Sequence, residues 1–122
     1  MHNYIAFVEF PVTDFERARK FYEAILQITI EEMEMPGARM GFFPNDGQNV
    51  SGAIVHGEEA SPAEAGVLVY LNGGDDLNTI LQRVQAAGGT VIMDKSQIGP
   101  EMGHYALFRD TEGNRVGLYS MG

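Results

Sequence analysis

The sequence predicts an α+β fold in which two βαβββ modules pair curved mixed sheets around a central cavity, with the helices outside. Three observations carry this prediction. A segment with strand-like composition followed by one with helical periodicity occurs twice, and each helix is followed by three short extended segments separated by turn signals. The acids placed to cap the two helices, Asp14 and Asp76, stand about half the chain apart, a structural duplication rather than a short solenoid repeat. The 122 residues suit a single domain. A four-stranded unit of ~60 residues buries too little surface to be stable alone, so the two units must pack together.

The elements follow in order. Tyr4 to Val12 (YIAFVEFPV) is aromatic and β-branched without helical spacing, a strand stopped by Pro11. Phe15, Ala18, Phe21, Tyr22 and Ile25 then recur at three- and four-residue steps behind a Thr13-x-x-Glu16 capping-box spacing, predicting a helix over about 14–26. Extended candidates follow at Ile28–Met33, Arg39–Phe43 and Val50–His56, separated by Pro36-Gly37 and by Asn45-Asp46-Gly47, a hairpin-turn signal. The small, acidic stretch Glu58–Gly66 contains Pro62 and reads as an exposed linker. Module 1 is therefore expected at about 1–57, the linker at about 58–65 and module 2 at about 66–122. In the second module Val67–Leu71 is a strand and Leu77, Ile80, Leu81, Val84 and Ala87 give helical spacing, which Gly88-Gly89 stop. Strands at Thr90–Met93, His104–Arg109 and Arg115–Ser120 complete the copy.

Composition excludes several functions. Hydrophobic residues make up 44% and charged ones 20%, unlike a disordered chain. With 17 acidic against 8 basic residues the net charge is −9, the wrong sign for binding nucleic acid. There is no cysteine for disulfides, thiolate nucleophiles or zinc–sulfur sites. Apolar runs fall well short of a membrane span and the N-terminus lacks a basic-then-apolar leader, so no membrane partner and a cytoplasmic location are expected.

Three stretches carry a family resemblance: Phe10–Tyr22 (FPVTDFERARKFY), Leu81–Gly89 (LQRVQAAGG) and Phe108–Leu118 (FRDTEGNRVGL). With the duplicated element order, the chain resembles the vicinal oxygen chelate superfamily of glyoxalase I, bleomycin-resistance proteins and extradiol dioxygenases. The resemblance implies paired βαβββ modules, commonly in a homodimer, around a cavity. In enzymes of the family it also implies a divalent metal held by His, Gln or Glu, with open positions for adjacent substrate oxygens. The first ligand position, seven residues before Asp14, falls on Phe7; that of the second module's first strand falls near Leu68. The last-strand position, four after Gly113, is Gly117, where the family's enzymes carry Glu. The fourth lies within Ser51–Val55, which holds no strong ligand. The expectation is therefore metal-independent binding of a small organic ligand, with no cofactor and no metal ligands. A divalent metal on a relocated set such as Glu9, His56 and His104 is the alternative.

Individual residues divide between site and core. Glu9 shares the face of Phe7 and is a candidate for a cavity carboxylate, acting as proton acceptor or cation partner. His104 is either a strand-end residue or a titrating group at the cavity rim. Phe7, Glu9, Phe42, Leu68, Tyr70, His104 and Phe108 are the expected ligand-binding residues, with Tyr105 also weighed and Tyr22 assigned to the core. His56 is read as a surface residue and His2 as part of a disordered terminus. Met33, Met35, Met40, Met93 and Met102 are read as core filling, a ligand mouth or a dimer seam. Arg39 and Arg115 are exposed or bind an anion. Glu9 in an aromatic cavity suits a cationic aromatic ligand. Two competing functions are a lyase, isomerase or dioxygenase using a relocated metal or Glu9 and His104 as acid and base, and a non-catalytic regulatory protein with a filled cavity.

Overall fold

A computed structural model describes residues 4–58 and 60–122. His2 lies outside the described residues. Module 1 comprises β1 (Phe7–Pro11), α1 (Phe15–Leu26), β2 (Glu31–Met35), β3 (Ala38–Phe42) and β4 (Ser51–Gly57). Module 2 comprises β5 (Val69–Asn72), α2 (Asn78–Val84), β6 (Thr90–Gly99), β7 (Gly103–Arg109) and β8 (Arg115–Ser120). The sheets have equivalent orders, β1-β4-β3-β2 and β5-β8-β7-β6. In each, the first strand pairs parallel with the last and the other pairs are antiparallel. The expected α+β fold of two βαβββ modules is what the chain adopts, and its two sheets remain separate rather than closing into one.

A single core joins the modules. The stripe Phe15, Ala18, Phe21, Tyr22 and Ile25 of α1 is fully buried, as its spacing requires, and meets Leu77, Leu81 and Val84 from the α2 region. Phe10 and Ile54 enter this core from one sheet, and Ala106, Phe108, Val116 and Leu118 from the other. Each sheet thus has one face on the helices and one face free of them.

Local chemistry explains where the boundaries depart from the sequence reading. Asp14, not Thr13, caps α1: its carboxylate accepts the Arg17 amide at 3.1 Å, while the Thr13 hydroxyl turns to Glu112. The helix ends with Gln27 in the left-handed region (φ 56°), and Glu23 accepts the Ile30 amide, which delays β2 to Glu31. Asn45-Asp46-Gly47 makes no two-residue hairpin. The Asn45 and Asp46 side chains instead hold the amides of Gly47, Gln48 and Asn49 in a longer loop between β3 and β4. Helix α2 stops at Val84, short of Ala87, and β6 runs to Gly99 because bulges keep its irregular sequence paired with β7.

Contacts between modules are polar as well as apolar. The Glu112 carboxylate, in the turn before β8, accepts the amides of Thr13 and Asp14, each at 2.8 Å, and pairs with Arg17 Nε at 2.7 Å. Tyr22 Oη donates to buried Asp110 at 2.6 Å, and Asn114 Nδ2 donates to the Pro11 carbonyl at 2.7 Å. These bonds hold the start of α1 and the end of β1 against the β7–β8 turn, and so fix β1 relative to β5.

Candidate functional site

Strand alternation assigns the faces. On β1, Phe10 is buried in the core, so Phe7 and Glu9 stand on the helix-free face, where both are exposed. Phe42 lies on the same face of β3, its ring centroid 6.0 Å from that of Phe7. In the second sheet Val69 and Leu71 pack on the core, which leaves Leu68 and Tyr70 on the open side.

These two edges meet. A groove of about 950 Å³ runs between β1 and β5, lined by Phe7, Glu9, Leu68, Tyr70 and Arg115 among others. Tyr70 also borders a second hollow of about 590 Å³, with Ile98, Tyr105 and Tyr119. The Tyr70 and Tyr105 ring centroids are 6.4 Å apart and tilted, within the range of a favourable aromatic pair. A third hollow of about 670 Å³, with Pro11, Ala38, Val55 and Glu58, meets the groove at Glu9. Space therefore remains between the modules, unlike the filled cavity of the regulatory alternative.

Four of the expected ligand-binding residues, Phe7, Glu9, Leu68 and Tyr70, line the same groove, and Phe42 stands beside Phe7. Two do not join them. Phe108 is fully buried in the core with its ring 6.0 Å from Phe21, because on β7 the even positions Ala106 and Phe108 face the helices. His104 shares that parity. Its Nδ1 lies 3.3 Å from the Met121 carbonyl oxygen, and its register partner is buried Ser120, so it stands away from the groove. The acid and base pairing of Glu9 with His104 is therefore not assembled. Residues that the sequence reading left off its site, Ile98, Tyr119 and Arg115, do border the hollows. The period-two run Arg115, Gly117, Tyr119 was the available signal, since it marks one face of β8.

The charges differ in how they are used. Arg39 is not an anion site: it lies 4.1 Å over the Phe15 ring and bonds Glu16 at 2.9 Å and Glu32. Those bonds hold both carboxyls below their usual range, led in each case by the side-chain hydrogen bond from Arg19 on Glu16 and from Arg39 on Glu32. Arg109 is taken by Glu64. Glu9 and Arg115, by contrast, have no ion-pair partner among the described residues.

The family's metal positions can be tested on this geometry. Phe7 and Leu68 carry no donor atoms, and Gly117 has no side chain. A Cβ built on Gly117 would lie 2.4 Å from Tyr70 Cδ1, so the Tyr70 ring fills the space a ligand from β8 would cross. On β4, the register partners of Phe7 and Glu9 are Ser51 and Ala53, neither a strong donor. The relocated set does not converge either. Glu9 is on the open face, His56 pairs with Arg39 on the opposite face of the same sheet, and His104 is in the other module. Among the described residues no three or more His, Cys, Asp or Glu side chains are grouped to hold a metal. The donor set at these positions does not fit a divalent cation.

Comparison with known proteins decides the family. A sequence model of the Glyoxalase/Bleomycin resistance protein/Dioxygenase superfamily matches residues 4–118. The chain belongs to this superfamily. A glyoxylase-like domain-containing protein from Didymella fabae is 32% identical over 124 residues, covering 93% of this chain and 91% of the relative. A glyoxylase/bleomycin resistance protein/dioxygenase domain from Frankia sp. aligns over 100% of both chains with TM-score 0.76 at 12% identity. An antibiotic binding protein from Streptomyces sp. aligns over 98% of this chain and 97% of its own, with TM-score 0.69 at 23% identity. Glyoxalase I from Zea mays shares the fold, with TM-score 0.71 at 14% identity over 95% of this chain, which spans only 44% of the maize protein. At such identities the structural likeness speaks for the fold alone, and the superfamily hosts both binding and catalysis. None of the described helices is long and apolar enough to cross a membrane.

Proposed function

We propose that this superfamily member binds a small organic molecule in the groove between β1 and β5, and does so without a catalytic metal. The observation that carries the reading is the Tyr70 ring lying over Gly117. It puts a stacking surface where a metal ligand would otherwise project, beside the apolar side chains of Phe7 and Leu68. The groove volume of about 950 Å³ falls within the range of small-molecule sites.

The same reading includes a homodimer. Met33, Met35, Tyr70, Ile98 and Tyr119 are all more than a third exposed, large apolar side chains left in water that a second copy could cover. A second copy covering some of them would also desolvate the groove and strengthen its polar contacts.

A thermal-shift screen of planar aromatic and heteroaromatic compounds tests the proposal, with hits checked by tyrosine fluorescence in EDTA. Hits that persist in EDTA and are weakened at least tenfold by Tyr70→Ala support it. Hits that need added metal, or that ignore Tyr70→Ala, overturn it.

A further inference from the structure

Resting on that reading, we infer that the ligand is amphoteric: a cationic group meets Glu9, an oxyanion meets Arg115, and an apolar or aromatic body lies over Phe7 and Tyr70. Both charged residues line the same groove, on the open faces of β1 and β8, and neither has an ion-pair partner among the described residues. Of the other five arginines four are paired with carboxylates, Arg17 with Glu112, Arg19 with Glu16, Arg39 with Glu32 and Arg109 with Glu64, and Arg83 donates to the Ile25 carbonyl oxygen. The exception is informative because Arg109 stands directly across from Arg115 in the β7–β8 ladder, where like charges repel, and only Arg109 has Glu64 to neutralise it. An anion at Arg115 would relieve that repulsion. The guanidinium fork suits a carboxylate or a similar planar oxyanion, which it can hold with two hydrogen bonds.

A purely cationic ligand would satisfy Glu9 and leave Arg115 facing its positive charge. A purely anionic one would do the reverse. A ligand with both charges satisfies both residues, and its apolar body gains the ring surfaces of Phe7 and Tyr70 in the same groove. The wrong charge pattern would be rejected as well as the right one favoured.

Four probes share one body: L-phenylalanine carries both charges, 2-phenylethylamine the cation, 3-phenylpropanoate the anion, and 2-phenylethanol neither. Affinities measured by ligand-observed NMR on the full chain at pH 7 should place L-phenylalanine at least tenfold above each of the others. Glu9→Gln should reduce phenylalanine to the level of the anion and leave 3-phenylpropanoate unchanged; Arg115→Gln should reduce it to the level of the amine and leave 2-phenylethylamine unchanged. Both residues are exposed, so an unchanged melting temperature confirms that the variants fold. If 2-phenylethanol binds, is lost in Tyr70→Ala, and the charged probes do no better, the amphoteric inference falls and the organic-ligand reading stands. If none of the four binds, both fall.

Discussion

The Tyr70 ring lies against Gly117, so close that a Cβ at position 117 would come within 2.4 Å of Tyr70 Cδ1 and 2.6 Å of Cε1. The two residues are register partners on adjacent parallel strands and share the open face. Tyr70 is 47% exposed, and its ring occupies the space that the missing side chain at Gly117 leaves. The glycine is thus a close-approach position, the usual reason for one in a strand interior.

Gly117→Ala should therefore push the Tyr70 ring off the sheet. The cost in stability is about 1 kcal/mol, at the low end for overpacking, because an exposed ring can swing away. Ligand affinity should fall more than stability does, since the stacking surface is displaced. In a double-mutant cycle with Tyr70→Ala the stability penalty of Gly117→Ala should vanish. Urea unfolding and the binding assay read the two effects separately. Additive penalties in the cycle would show that the two residues are not coupled.

Glu112 makes module pairing depend on pH. Burial acts to raise its pKa, but hydrogen bonds from Arg17 and from the amides of Asp14 and Thr13 outweigh this and hold it at about 2, against an ordinary 4.5. Because the folded-state value is depressed, its stabilisation is present in full above pH ~4.5 and is lost as pH falls toward 2. The shift corresponds to about 3 kcal/mol at most, and solvent around the half-exposed Arg17 reduces it toward about 2 kcal/mol. Glu112→Gln should cost a similar amount at pH 7 and remove that part of the acid sensitivity, so the stabilities of variant and wild type converge near pH 2. Urea titrations at several pH values check it; parallel curves would contradict the clasp.

Legibility in the sequence divides by the range of the interaction. The α1 stripe was readable because periodicity is local and the cap that starts the helix lies within a few residues of it. The duplicated modules were readable for the same reason. On β7 the sequence reading placed His104 and Phe108 at the cavity and weighed Tyr105 beside them, although neighbouring strand positions face opposite ways, and nothing local says which face meets a helix. Gly117 was read only as a missing metal ligand, and its close approach to Tyr70 could not be read, since strand pairing is set by the whole sheet. The Glu112 clasp was invisible because its partners Thr13, Asp14 and Arg17 are 95 to 99 residues away in sequence. Arg115 was read as exposed or anion-binding, and only the groove put it in one lining with Glu9.

Tyr22 anchors the second link between modules. Its hydroxyl is fully buried and donates to Asp110, which also accepts the amides of Glu112 and Asn114. Tyr22→Phe removes a donor while Asp110 keeps its other bonds, so the expected loss is about 1–2 kcal/mol rather than that of a stranded charge. Burial, with Asp110 beside it, pushes the phenol well above its usual range, so Tyr22 should be the last of the 5 tyrosines to ionise in an alkaline absorbance titration. The variant should lose that late phase and no other.

Oligomeric state tests the proposed use of the open face. Strand β2 is exposed at every position, and its Met33 and Met35 stand on the side of Met40, with Met33 directly opposite Met40 in the ladder. Edge strands of soluble monomers seldom carry such residues without cover, because each exposed thioether side chain keeps apolar area in water. A second copy seated there would account for their placement, and the alternating Glu32 and Glu34 stay on the other face, where Arg39 is the register partner of Glu34 and pairs with Glu32. Light scattering at micromolar concentration should therefore give twice the 13.4 kDa chain mass. Met33→Glu with Met35→Glu should return it to the single-chain mass, because four buried carboxylates per dimer would face one another. Wild-type melting temperature should rise with protein concentration and that of the double variant should not. A wild-type mass of one chain across the concentration range would remove the dimer from the proposal and leave the groove to one chain.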